Sequence, residues 1–169
     1  SLTYFKTIIM TWSFRIGKIF GIDVYLHFTF LLLLGFTGLT HWLETRDLAA
    51  ALGSAGFFVA LFACVLLHEF GHALTARRFG IQTRDITLLP IGGIAAMDKL
   101  PENPREEFLV AIAGPAVNVV IAGLIWLWLN LTNVAISKEE LMTTGGPFLY
   151  QIMIVNIVLV VFNMIPAFP

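Results

Sequence analysis

Charge is scarce in this sequence. Of its 169 residues, 12% are Asp, Glu, Lys or Arg and 58% are hydrophobic, whereas a water-soluble domain carries about 25% charged residues. That shortage excludes an ordinary soluble globule and points to lipid as the main solvent. The ten basic and eleven acidic residues nearly cancel, so no basic surface is left for a nucleic acid. A single cysteine, Cys64, excludes an internal disulfide and a cysteine-built metal site. Repeats and low-complexity tracts are missing as well. No cleavable signal peptide stands out, because Lys6, Arg15 and Lys18 are spread through a long start with no small-residue cleavage site before the first apolar run.

What is present is a series of long apolar runs. Four approach the roughly 20 helical residues that cross a hydrocarbon core: about 24–43, 48–79, 105–131 and 147–165. The expected fold class is therefore a polytopic α-helical membrane protein with about four transmembrane helices. Two connections break the helical pattern. Residues 13–25 alternate in places around a glycine, which predicts a short strand pair or an interfacial segment. Residues 83–99 are apolar but too short to span, and Pro90 with Gly92-Gly93 disfavours a helix. They are expected to form a re-entrant hairpin or edge strands, a small membrane-associated β element. Basic residues set the orientation. With a cytoplasmic N-terminus, that side holds Lys6, Arg15, Lys18, Arg77, Arg78, Arg84, Lys99 and Arg105, against Arg46 and Lys138 opposite.

Chemistry concentrates in Cys64–Arg77, CVLLHEFGHALTAR. Side chains four apart on a helix share a face, so His68 and His72 are expected to bind one zinc ion. Glu69 beside them suits the general base that takes a proton from water at the metal. Read blandly, these are two helix histidines bonded to their neighbours. Ionisable groups at membrane depth are costly and mark function, and here three fall within five positions. Cys64 is expected only to pack: it lies eight residues from His72, about 12 Å along a helix, too far to share one ion. His27 and His41 sit at opposite ends of the first run and read as interfacial. A catalytic zinc takes three protein ligands, and composition alone does not name the third.

The segments LLHEFGHALTARRFG (66–80), LLPIGGIAAM (88–97), AGPAVN (113–118) and NMIPAFP (163–169), with RIGKIFGIDVYLH (15–27) ahead of them, resemble the site-2 protease family of intramembrane zinc metalloproteases. The closest likeness is to its prokaryotic branch, which often carries C-terminal CBS domains. The resemblance covers nearly the whole chain. It implies one zinc ion held by His68 and His72, Glu69 as catalytic base, and a third ligand, an Asp, just beyond Pro169. The family's last motif runs Asn-x-x-Pro-x-x-Pro-x-Asp-Gly, so residues 1–169 are expected to be a single membrane-embedded protease core, truncated two positions short of that Asp.

The resemblance also sets Asn118 near the zinc, where its amide would stabilise an oxyanion; packing between helices is the other reading of that side chain. Gly92 and Gly93 allow close backbone approach, and an edge strand there would hold a substrate extended. Asn163, in a stretch broken by Pro166 and Pro169, is expected in the wall of the site. The expected function is hydrolysis of a peptide bond in or near the transmembrane segment of another protein, in regulated intramembrane proteolysis. The rival is a non-enzymatic membrane metal-binding protein, a transporter or a pseudoprotease. The expected setting is a multi-pass prokaryotic cell membrane, with the active site towards the cytoplasm. Partners are the bilayer and a transmembrane substrate, and nothing in the sequence speaks to self-association.

Overall fold

In the computed structural model, which describes residues 12–90, 92–99, 101, 103–132 and 147–165, the chain starts as a β-hairpin. Phe20 and Gly21 both take positive φ, 52° and 85°, the backbone of a tight two-residue turn. The turn folds β1 (Ser13–Ile19) back on β2 (Ile22–His27), antiparallel, with Ile19 opposite Ile22 and Ser13 opposite His27. The first apolar run is therefore not helical from residue 24. Val24–His27 complete β2, and α1 begins at Phe28 and ends at Thr45. The His27 side chain caps it, accepting from the Thr29 amide at 3.3 Å.

Arg46 closes α1 in the left-handed conformation, and Asp47 caps α2 (Leu48–Arg78) through Oδ1, 2.8 Å from the Ala49 amide. α2 ends on Arg77 and Arg78, cations placed where the helix dipole favours them. The chain then forms β3 (Thr83–Leu89), turns at Pro90, and returns as β4 (Gly92–Met97). Asn103 caps α3 (Pro104–Leu131), whose first position is proline and whose first turn holds Glu106 and Glu107. Last comes α4 (Phe148–Met164).

The strands form one sheet in the order β1-β2-β3-β4, with β2 and β3 parallel and the other pairs antiparallel. The α1–α2 pair is the crossover that a parallel pair requires. Residues 83–99 are thus only partly an edge, because β3 is central and β4 alone lies at the rim. Pro90 sits in the turn between them and disturbs no ladder. Ile22 and Val24 of β2, Ile86 and Leu88 of β3, Phe30 of α1, and Phe62, Phe70 and Ala73 of α2 make one buried cluster. It seats the sheet against the side of α2.

The helices turn large apolar side chains outward, among them Leu32, Phe36, Leu52, Val59, Val120, Leu124, Trp126 and Phe162. α2 and α3 are long and apolar enough to cross a membrane. Their most apolar windows average a hydropathy of 2.3, yet only 17% and 28% of those windows are buried. A helix hydrophobic all round yet uncovered suits lipid, because soluble monomers seldom expose continuous apolar patches of this extent. α1, with His41 and Glu44 in its last turns, and the 17-residue α4 fall short of the same measure.

Candidate metal centre

His68, Glu69 and His72 lie two-thirds of the way along α2, where α2 is hemmed in by β4 on one side and α3 on another. The approach of α3 rests on two glycines. A Cβ at Gly71 would stand 2.6 Å from the Ala113 carbonyl oxygen, and one at Gly114 would stand 2.7 Å from His68 Nε2 and closer still to His72 Nε2. Only hydrogen fits at either place, so the helix surfaces touch where the imidazoles project. Pro115, the next residue, is buried there as well.

The rings are held in a definite way. His72 Nδ1 lies 2.7 Å from the Val110 carbonyl. Since that oxygen can only accept, Nδ1 carries the proton and Nε2 keeps its lone pair. Val110 and Gly114 are one turn apart on α3, so the ring is braced on the first and passes over the second. His72 Nε2 and His68 Nε2 face each other at 3.0 Å. Two ring nitrogens so placed either share one proton or face one cation. Ligands about 2.0–2.1 Å from a tetrahedral zinc stand roughly 3.3 Å apart, so the spacing fits an ion and the donor set is the kind zinc prefers. A ligating imidazole bonded through its other nitrogen to a carbonyl is a common arrangement in zinc sites. Among the described residues, no third His, Cys, Asp or Glu completes the group.

On the other side of α2, a cavity of about 190 Å³ is lined by Val65, His68 and Glu69, by Gly92 and Gly93 of β4, and by Leu159 and Asn163 of α4. Glu69 is half-buried and lies against Gly93, where a Cβ would come 2.9 Å from Oε1. Glycine at this point lets the rim strand reach the carboxylate. Of the residues singled out from sequence, His68, Glu69, Gly92, Gly93 and Asn163 therefore meet on one cavity, and His72 joins them through His68. Asn163 also bonds back to the Leu159 carbonyl at 2.8 Å.

Asn118 stands apart. It is one turn beyond Gly114, fully buried and absent from the cavity wall, and neither amide atom has a partner among the described residues. The bond across helices that packing would give it is not formed. Cys64 packs, as its position suggests: it is buried and accepts a bond from Asn156 of α4. Pro166 and Pro169 lie outside the described residues.

Sequence reasoning alone misses three supports of this site: the Val110 carbonyl, the steric role of Gly114, and Asn156. A backbone acceptor leaves no sequence signal. Gly114 reads simply as a small packing residue. Asn156 had a signal, being an amide in an apolar run.

The profile of Peptidase family M50 matches residues 56–144, which span His68, Glu69, His72, Gly92, Gly93 and Asn118. A zinc metalloprotease of Methanocaldococcus jannaschii is 37% identical over 161 residues, 95% of this chain and 43% of that protein. Stage IV sporulation protein FB of Bacillus subtilis is 29% identical over 112 residues, 66% of this chain and 35% of that protein. Among solved structures, a site-2 protease from Methanocaldococcus jannaschii superposes with a TM-score of 0.67 at 35% identity, covering 94% of this chain and 67% of that one. The chain spans less than half the length of these two curated relatives. With the family profile matched over more than half of its length and the site-2 protease fold shared at 35% identity, the chain belongs to peptidase family M50.

Proposed function

We propose that this chain is the membrane core of a zinc metalloprotease that cuts a peptide bond in or near the transmembrane segment of another membrane protein, in regulated intramembrane proteolysis. One observation carries the reading. Two imidazole nitrogens converge at 3.0 Å, beside a carboxylate that shares a cavity with β4, the edge strand among the described residues. His68 Nε2 and His72 Nε2 would hold one zinc ion, with a third ligand, an Asp, following α4 beyond Pro169. Bound there, zinc supplies Lewis acidity towards the scissile carbonyl and lowers the pKa of water towards ~7.

The chain's own groups do the rest. The Glu69 carboxylate takes a proton from the attacking water and delivers it to the leaving amine nitrogen. Gly92 and Gly93 let β4 lie close to Glu69, and its outer edge, unpaired among the described residues, offers backbone donors and acceptors to an unwound, extended substrate. Asn163 lines the seat of that segment. Asn118, fully buried and off the cavity wall but unpaired among the described residues, is assigned to the oxyanion, a role that requires its amide to reach the site once substrate binds. α1 and α4 join α2 and α3 as membrane crossings in this reading, four in all, within a multi-pass prokaryotic cell membrane. Arg77 and Arg78 at the end of α2 and Arg105 at the start of α3 support a cytoplasmic placement of the site.

Glu69→Gln in the full-length protein is the test. The probe is a tagged single-span membrane protein with Asn-Gly near the cytoplasmic end of its transmembrane segment. Zinc content is expected to stay at one per chain while cleavage falls by 10²–10⁴-fold, the range for losing a general base. Cleavage at the unsubstituted rate would remove Glu69 from the mechanism.

A further inference from the structure

α4 forms one wall of the cavity, yet its sequence hardly says which way it should face. It is apolar on nearly every side, and in lipid no hydrophobic force prefers one apolar face of a helix to another. Ile152 and Met153 are buried, but either would be equally at home against hydrocarbon. Asn156 would not. It is fully buried, its Nδ2 donates to the Ile152 carbonyl at 2.8 Å, and the same nitrogen reaches Cys64 Sγ of α2 at 3.3 Å. Its Oδ1 has no partner among the described residues, and the bond to Ile152 lies within α4 and holds in any orientation, so what the amide gains from facing α2 is the one bond from Nδ2 to Cys64 Sγ. Turned outward, it would lose the contact with α2 and lie in hydrocarbon, where an unpaired amide is expensive.

Helical spacing makes that contact consequential. Leu159 and Asn163 stand three and seven residues after Asn156, on the same face of α4. Both line the cavity. Cys64 stands one turn before His68 on α2. The bond therefore joins the two helices one turn away from the imidazole pair and aims Leu159 and Asn163 at the cavity that holds His68 and Glu69. We propose that Asn156 is a positioning residue, which fixes the rotation of α4 against α2 through Cys64 and so builds the α4 wall of the site. Its effect on cleavage rests on the metalloprotease reading above; its effect on helix orientation does not.

The experiment separates the two. In full-length protein in membranes, Val65→Cys and Leu159→Cys are combined with Cys64→Ser, which keeps an acceptor and removes the native thiol. The pair is then joined with a short thiol crosslinker. Adding Asn156→Leu is expected to slow crosslinking at least fivefold. So is replacing Cys64→Ser by Cys64→Ala in the same background, which also serves if Asn156→Leu does not accumulate. On the tagged reporter, with Val65 and Leu159 native, Asn156→Leu and Cys64→Ala are each expected to lower kcat/KM about tenfold. Together they should cost no more than either alone, and Cys64→Ser should hold within twofold of the unsubstituted protein. Unchanged crosslinking, or losses that multiply in the double variant, would overturn the proposal. If crosslinking responds while the unsubstituted protein leaves the reporter whole, the latch stands and the protease reading falls.

Discussion

Replacing Gly114 by alanine would set a methyl carbon 2.7 Å from His68 Nε2 and nearer still to His72 Nε2. Ordinary contact between such atoms begins at about 3.5 Å, so the overlap is roughly 0.8 Å on one ring and larger on the other. His72 has little room to retreat, because its Nδ1 is tied at 2.7 Å to Val110, one turn back on the helix that carries the new methyl. Two effects then oppose each other. Alanine is the better helix former by about 1 kcal/mol, while overpacking a tight contact costs about 1–3 kcal/mol. Displaced rings weaken a metal site further, since disturbing groups that orient ligands costs about 10–100-fold in affinity. The steric terms win. Gly114→Ala should bind zinc about 10–100-fold more weakly in competition with a chromophoric chelator. Gly123→Ala, on the same helix with nothing within 4 Å of the new carbon, should bind as the unsubstituted protein does. Equal affinity in both variants would mean that the imidazoles do not meet over position 114, and the geometry argued here would be wrong.

Gly93→Ala acts on the other side of the site. Its methyl would meet Glu69 Cγ first and stand 2.8 Å from Cδ and 2.9 Å from Oε1, so the Glu69 side chain must turn as a whole; zinc content should hold while reporter cleavage drops about 10- to 100-fold, less than the 10²–10⁴-fold assigned to outright loss of a general base. Leu124 is 62% exposed on α3. If it faces lipid, Leu124→Arg should cost about 2.5–3.5 kcal/mol in a membrane-insertion assay, whereas a water-facing position would change stability by under about 0.5 kcal/mol.

Legibility in the sequence followed the range over which each signal acts. His68, Glu69 and His72 could be read directly, because one helical turn sets their spacing and no distant contact is needed. The long apolar stretches of α2 and α3 were equally plain. The start of α1 was not. Val-Tyr-Leu-His at 24–27 is a short apolar run that fits helix or strand alike, and the choice is made by pairing with β1 and β3, the latter 62 positions further on. The same pairing makes β3 central, although residues 83–99 read as a hairpin or edge strands from sequence. Gly92, Gly93 and Asn163 were placed at the site by sequence, but their meeting on one cavity depends on how α4 rotates, which its apolar sequence leaves open apart from Asn156. Asn118 shows the opposite limit. Its type draws attention, yet its side chain is fully buried, does not line the cavity and has no partner among the described residues.

Zinc K-edge X-ray absorption on the full-length, zinc-loaded protein tests the centre of this account most directly. It should report two imidazole nitrogens at about 2.0–2.1 Å, with His68→Ala and His72→Ala each removing one imidazole and most of the bound metal. A spectrum that neither substitution alters would place the zinc elsewhere and contradict the account.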